Sequence, residues 1–95
     1  MGGQNQFAIT NRMSKPLTLN IEPEGAFFPL ANGEEVLVTD VFRSAPVSIT
    51  LDNSEKGDPI VSIWPGDGDV KVEKNGVDVL ELIQAEQKAP AQRAG

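Results

Sequence analysis

The stretch VKVEKNGVDV, residues 70–79, decides the fold class. Val70 and Val72 alternate with charged residues, and apolar alternation resumes at Val77 directly after an Asn75-Gly76 dipeptide. Alternation with a period of two is typical of a strand that buries one face. Asn-Gly is a preferred two-residue loop because both central residues of a type I′ turn need a positive φ. The stretch therefore predicts a β-hairpin.

Similar strand patterns recur along most of the chain. Apolar and polar residues alternate in 17–21 and 47–51, each burying one face, and less regular apolar runs occupy 7–10, 26–30, 35–42 and 60–64. Glycine, proline, asparagine and aspartate separate these runs, so strands recur roughly every 8 to 12 residues. This spacing predicts an all-β fold, a single antiparallel β-sandwich or jelly-roll-like barrel of seven to eight short strands. Apolar residues on both faces of 60–64 predict a central strand covered on two sides.

The chain length of 95 residues predicts one domain. We expect a flexible N-terminus over 1–5, a single β domain over 6–84 and a disordered tail over 85–95, because the tail has few large apolar residues to offset its ordering entropy. The last apolar run is interpreted as a strand that ends near Ile83. No apolar stretch resembles a secretion signal or approaches the ~20 residues of a membrane span, which predicts a cytoplasmic protein without membrane contact.

Composition excludes several kinds of chemistry. The chain has no cysteine and no histidine, so it cannot contain a Ser-His-Asp or Cys-His nucleophile system or the usual zinc and copper sites. The net charge is −6, without a lysine or arginine cluster, which argues against a nucleic-acid partner. Residues 22–70 contain ten acidic and two basic residues, a net −8. If their turns gather at one end of the sandwich, they would form an acidic pole for a cationic partner or a metal ion.

Carboxylates are thus the main remaining candidates for a site. Three close pairs exist, Glu22 with Glu24, Glu34 with Glu35, and Asp67 with Asp69. Residues two apart on a strand point the same way at about 6 to 7 Å, near the spacing of glycosidase carboxylates. The pairs also border turns, where acidic residues are common. Because turn chemistry also explains these pairs, the prediction is that the protein is not an enzyme. A carboxylate-dependent hydrolase is the alternative.

A cation site is the second hypothesis for the acidic residues. Calcium takes six to eight oxygen ligands and needs no nitrogen or sulfur. Asp58, Asp67 and Asp69 would supply such ligands if their two loops lie side by side. The other interpretation is that they are solvated turn residues. No other cofactor is predicted.

Aromatic residues supply the candidate contacts for a ligand. Trp64 is the one tryptophan; such a residue usually anchors the core of a small domain, but at a strand end it can form a platform for a sugar. Adjacent Phe27 and Phe28 point to opposite faces of a strand, so one is expected in the core and the other at the surface. Trp64 and Phe28 are the predicted ligand-binding residues.

Two neighbouring turn motifs carry a family resemblance. Glu22-Pro23-Glu24-Gly25 follows an amphipathic strand as E-P-x-G, and Leu30-Ala31-Asn32-Gly33-Glu34 precedes another strand as L-x-x-G-E. This pattern of about twenty residues resembles one found in small, uncharacterised bacterial all-β proteins. The resemblance implies a compact β-sandwich of bacterial origin and transfers no functional residue.

Taken together, the sequence predicts a non-enzymatic β-sandwich module for protein interaction or self-assembly. Its contacts would be made by loops and sheet edges, because edge strands offer unpaired backbone groups to other strands. The alternative is a carbohydrate-binding or cation-binding domain that uses Trp64 and the acidic loops.

Overall fold

Eight strands form two four-stranded sheets in the computed structural model, which describes residues 2–85. The strands are β1 (Gly3–Thr10), β2 (Leu17–Ile21), β3 (Ala26–Leu30), β4 (Glu35–Phe42), β5 (Ser48–Asn53), β6 (Pro59–Trp64), β7 (Asp69–Lys74) and β8 (Val77–Asp78). The first sheet has the order β1-β4-β7-β8 and the second the order β3-β2-β6-β5. The predicted β-sandwich is confirmed, and the sheets do not close into a barrel.

Strand pairing is antiparallel in five of the six pairs described. The exception is β2 with β6, which run parallel, with Leu19 opposite Val61. The predicted hairpin is present between β7 and β8, where Asn75 and Gly76 have φ of 53° and 82°. Both angles lie in the left-handed region that a type I′ turn requires.

The core lies between the two sheets. Its apolar residues come from alternate positions of the strands, as expected for half-buried sheets. The fully buried members with the largest side chains are Leu19, Leu30, Val36, Val38, Ile63 and Val79. Strand β6 is central in its sheet, as predicted, but the expected cover on both faces is wrong, because Trp64 on the face away from the core is exposed.

Strand β4 is joined along the chain to both edge strands of the second sheet. Its first residue follows the end of β3 through the connection 31–34, and its last residue leads to the start of β5 through 43–47. The connection 43–47 therefore adjoins the start of β5, and residues 51–53 form the opposite end of this edge strand.

The C-terminal segment corrects a prediction. A short helix, α1, occupies 79–85, where a strand ending near Ile83 was expected. The Leu80 backbone N–H donates to Asp78 Oδ1 at 2.9 Å, which is the hydrogen bond of a helix N-cap. Leu80 and Ile83 pack against the core as partly buried residues, since residues three apart share one face of a helix.

The N-terminus corrects a second prediction. Residues 3–5 belong to β1 and pair with β4, Gly3 opposite Phe42 and Asn5 opposite Asp40, whereas a flexible segment was expected over 1–5. The predicted disordered tail over 85–95 lies, apart from residue 85 in α1, outside the described residues.

Candidate functional site

The four edges of the two sheets differ in how they are protected. Strand β8 has only two residues, and β3 carries Pro29, which lacks a backbone donor. Strands β1 and β5 are longer, with eight and six residues. β1 has no charged residue and β5 has Asp52 alone. Lysine and proline commonly guard edge strands against pairing, so β1 and β5 are the two open edges among the described strands.

The apolar face of β5 distinguishes it from β1. Phe7 and Ile9 of β1 are partly buried and pack against the core. In contrast, all six residues of β5 are exposed. Ile49 and Leu51 have 39% and 78% of their surface exposed, although apolar side chains in a half-buried strand are expected to face the core.

The strand register places these two side chains on the inner face. Ile49 lies opposite Ile63, and Leu51 lies opposite Val61, both of which are buried. Directly opposite residues of paired strands point to the same face. The apolar row of the core therefore continues onto β5, where its side chains are exposed. Sequence alternation predicted that this face of β5 would be buried, and the structure shows the prediction to be wrong at Ile49 and Leu51.

The connection before β5 is organised by Asp67. Its carboxylate accepts hydrogen bonds from the backbone N–H groups of Arg43 at 2.8 Å, Ser44 at 2.8 Å and Ala45 at 3.1 Å, and from the Ser44 hydroxyl at 2.8 Å. The Arg43 N–H, followed by the Ser44 N–H, lowers the pKa of Asp67 to about 2. These donors favour the charged carboxylate. Asp67 therefore stabilises the backbone conformation of residues 43–45.

A buried carboxylate holds the start of β5. Asp40 lies on the inner face of β4 and is fully buried. Its Oδ2 accepts the Val47 N–H at 2.9 Å and the Asn5 side-chain N–H at 3.3 Å. Its Oδ1 has no hydrogen-bond partner among the described residues. Asp40 thus links β1, β4 and the entry to β5.

The structure does not bring the three predicted cation ligands together. Asp58 precedes β6, while Asp67 and Asp69 follow it. The six residues of β6 span about 20 Å at ~3.3 Å per residue, so the loops lie at opposite ends of the strand. Asp58 instead lies 4.0 Å from Lys15 Nζ. Residues 2–85 contain no group of three side chains suited to hold a metal.

The acidic turns do not form one pole either. Glu22 and Asp67 lie at the end of the sandwich where β2 and β6 finish, and Glu34 and Asp58 lie at the end where these strands begin. The negative charge of the described residues is therefore divided between both ends of the sandwich.

The predicted phenylalanine is the wrong member of its pair. Phe28 is in the core, with Lys74 Nζ 5.7 Å from its ring centroid, whereas Phe27 is 59% exposed. The expected division between core and surface is confirmed, but Phe27 is the surface residue. The alternation of side chains along β3 explains which phenylalanine is buried, since Phe28 lies opposite the buried Leu19 and shares its face.

Trp64 and Phe27 share the outer face of the second sheet. Trp64 is 45% exposed, so it does not act as a buried core anchor. Phe27 lies opposite Asn20, which lies opposite Ser62, two residues before Trp64. The Asn20 side-chain N–H donates to Glu22 Oε2 at 3.1 Å and to Ser62 Oγ at 3.3 Å. Two aromatic rings therefore flank a polar patch.

Carboxylates also line a surface hollow of about 490 Å³ between the start of β4 and the β7–β8 turn. Glu34, Glu35 and Glu73 border it. The pKa of Glu34 is lowered, first by its hydrogen bond from Lys74 and then by the Ala31 N–H. A glycosidase general acid needs a raised pKa, so Glu34 does not fit that role.

Comparison with known proteins supplies no function. No family model matches the chain. No curated protein and no solved structure matches it either. The resemblance to small bacterial β proteins therefore stays a prediction. None of the described helices is long and apolar enough to cross a membrane.

The sequence pattern did not reveal that Ile49 and Leu51 are surface residues. Their alternation looks the same as that of buried strands, because it reports a strand with one apolar face and not whether another layer covers that face. A usable signal was the residue content of 48–53, which has no lysine, arginine or proline. That content indicates an unguarded edge.

Proposed function

We propose that the protein is a non-enzymatic interaction module that binds an extended segment of a protein partner along β5. The observation that carries the proposal is the 78% exposure of Leu51 on the inner face of an edge strand. A surface leucine alone is ordinary. Here it continues the buried row of the core beside unpaired backbone groups, which together offer both parts of a strand-binding site.

Strand addition accounts for both features of this surface. The free N–H and C=O groups of β5 would bond to the backbone of the incoming strand, which provides affinity. On the inner face, side chains of the incoming strand would cover Ile49 and Leu51 and provide specificity. These side chains alternate along the incoming strand with side chains that point outward. An apolar-polar alternating segment is therefore the preferred partner.

The anchoring of β5 supports the same proposal. Asp67 and Asp40 hold 43–47 by backbone hydrogen bonds, so the strand is positioned before any partner arrives. A binding element that is already ordered loses less conformational entropy on association. The two aspartates thus serve as positioning residues for β5.

Selection of displayed random peptides on the native protein tests the proposal. We expect enriched peptides with alternating apolar residues, and peptide-dependent amide NMR shifts concentrated in 48–53. Leu51→Lys should abolish binding because it removes the apolar contact and adds a charge to the edge. Leu37→Lys, at an exposed position of β4 in the other sheet, is the matched control and should bind normally. Shifts confined to another surface would overturn the proposal.

A second candidate function, carbohydrate binding, is favoured by the outer face of the second sheet. Exposed Trp64 and Phe27 offer flat apolar rings on which sugar faces stack, and Glu22 and Asn20 lie between them. Glycan screening tests this candidate, with Trp64→Ala and Phe27→Ala each expected to weaken any binding. Leu51→Lys should leave glycan binding unchanged, which separates the two functions.

A further inference from the structure

Strand β5 is complementary to itself, and we propose that its partner is a second copy of this chain. Two β5 strands would pair antiparallel about a two-fold axis with Thr50 opposite Thr50 of the second copy. The second sheets would then join into one eight-stranded sheet. The inference rests on the proposed function and identifies β5 of a second copy as the strand that pairs with the β5 edge.

Symmetry restricts the registers that are available. A two-fold axis perpendicular to the sheet keeps the inner faces of both copies on the same side, because directly opposite residues share a face. The central pair must then consist of one residue and its own symmetry mate. Centring on Ile49 would overlap only residues 48–50 of the two strands. Centring on Leu51 would set Ile49 against the polar Asn53.

The register centred on Thr50 matches side chains on both faces. On the inner face, Ile49 lies opposite Leu51 of the second copy, and the symmetry repeats this pair. On the outer face, Ser48 lies opposite Asp52 and can donate its hydroxyl to that carboxylate. Thr50 faces its symmetry mate, a pairing that stabilises sheets. No two like charges stand opposite each other.

The other edges fit a second copy less well. Strand β3 contains Pro29, and β8 has two residues. Strand β1 has no exposed apolar row on its inner face, since Phe7 and Ile9 pack against the core. Pairing β5 of one copy with β1 of another would also be heterologous and would form rings or open fibres, whereas β5 with β5 closes as a dimer.

Disulfide trapping tests the register directly, because the chain has no cysteine of its own. In Thr50→Cys the paired Cα atoms would lie about 4.5 to 5.5 Å apart, within the range that a disulfide spans. Ser48→Cys is the matched control on the same face. Its symmetry mate would be four positions away, about 13 Å along the strand, which is too far for a disulfide.

We expect Thr50→Cys to form cross-linked dimers at least about tenfold faster than Ser48→Cys under mild oxidation, measured on non-reducing gels. Sedimentation equilibrium of the cysteine-free protein should show a dimer that Leu51→Lys abolishes and Leu37→Lys retains. Equal cross-linking rates, dimers that survive Leu51→Lys, or a monomer up to millimolar concentration would each overturn the inference. Peptide binding at 48–53 by a strict monomer would refute the dimer alone and leave the proposed function standing.

Discussion

Two aspartates hold the entry to β5 in different environments. Asp67 is at the surface, where three backbone N–H groups of residues 43–45 point at its carboxylate. Asp40 is buried and accepts the Val47 N–H from the core side. From the sequence, Asp67 was a candidate cation ligand because carboxylates were the available ligands, with a solvated turn residue as the other interpretation. The structure shows that its lone pairs already accept hydrogen bonds from the chain.

The lowered pKa of Asp67 predicts a pH-dependent stability. Because its pKa falls from 3.8 to about 2 on folding, its stabilisation is complete above pH 3.8 and is lost as the pH falls toward 2. Asp67→Asn should therefore melt below the native protein at pH 6, with a gap that narrows between pH 4 and 2. Circular dichroism melts across this range test it, with Asp69→Asn as the control. A gap that does not change with pH would contradict the assignment.

The hydrogen bonds of buried Asp40 predict a loss of stability when its carboxylate is removed. Asp40→Ala would leave the Val47 N–H and the Asn5 amide without their acceptor, which costs about 1 to 3 kcal/mol of unfolding free energy for a buried group. Urea denaturation measures the loss, with exposed Asp69→Ala as the comparison. An unchanged unfolding free energy would show that water or another group replaces the carboxylate.

At the scale of elements, local patterns predicted most strands but not their surroundings. Strands β2, β3 and β4 coincide with the predicted runs because alternation and turn residues are local signals. Leu51 and Leu19 occupy similar alternating patterns, yet Leu51 is exposed and Leu19 is buried. The difference follows from sheet order, since β2 lies between two strands and β5 lies at an edge, and sheet order leaves no trace within β5 itself. A candidate site made from strand edges is therefore visible only once the sheet order is known.

Helix α1 was missed although the sequence carries its signals. Asp78 followed by Glu81 has the spacing of a capping box, and Val79, Leu80 and Ile83 fall on one helical face. The adjoining hairpin favoured reading the same residues as a continued strand. The strand signal and the helix signal meet at one residue, because β8 ends at Asp78 and Asp78 also caps α1. The strand pattern was therefore extended past its true end.

The N-cap predicts a test of α1. Asp78→Ala should lower the unfolding free energy by about 1 kcal/mol because the Leu80 N–H loses its acceptor. Asp78→Ser keeps a side-chain oxygen in place and should recover most of the loss. Chemical denaturation of both variants checks this. Equal losses in the two variants would show that the cap does not stabilise the helix.

At the scale of the whole molecule, charge opposes association while the β5 edge favours it. Each chain carries a net −6, and the described acidic residues lie at both ends of the sandwich, so two copies repel each other at low ionic strength. The apolar and backbone contacts of β5 are short-range and insensitive to salt. Association therefore depends on how far the repulsion is screened.

This balance predicts that salt strengthens the dimer. Raising the ionic strength from about 0.01 M to 0.15 M shortens the Debye length from about 30 Å to 8 Å, which weakens repulsion between the copies. Sedimentation equilibrium should show a lower dissociation constant at the higher salt concentration. Weaker association at higher salt would indicate an interface held by ion pairs, contrary to the pairs proposed for β5, none of which joins opposite charges.

The most direct test of the open edge is amide hydrogen exchange along β5, measured by NMR at low and high protein concentration and with a selected peptide. We expect the amides of 48–53 that point away from β6 to exchange rapidly in the free monomer and to gain protection when a strand binds. Amides of β1 and of 26–30 should keep their exchange rates. Protection that appears at β1, or binding that leaves β5 amides unprotected, would contradict the account.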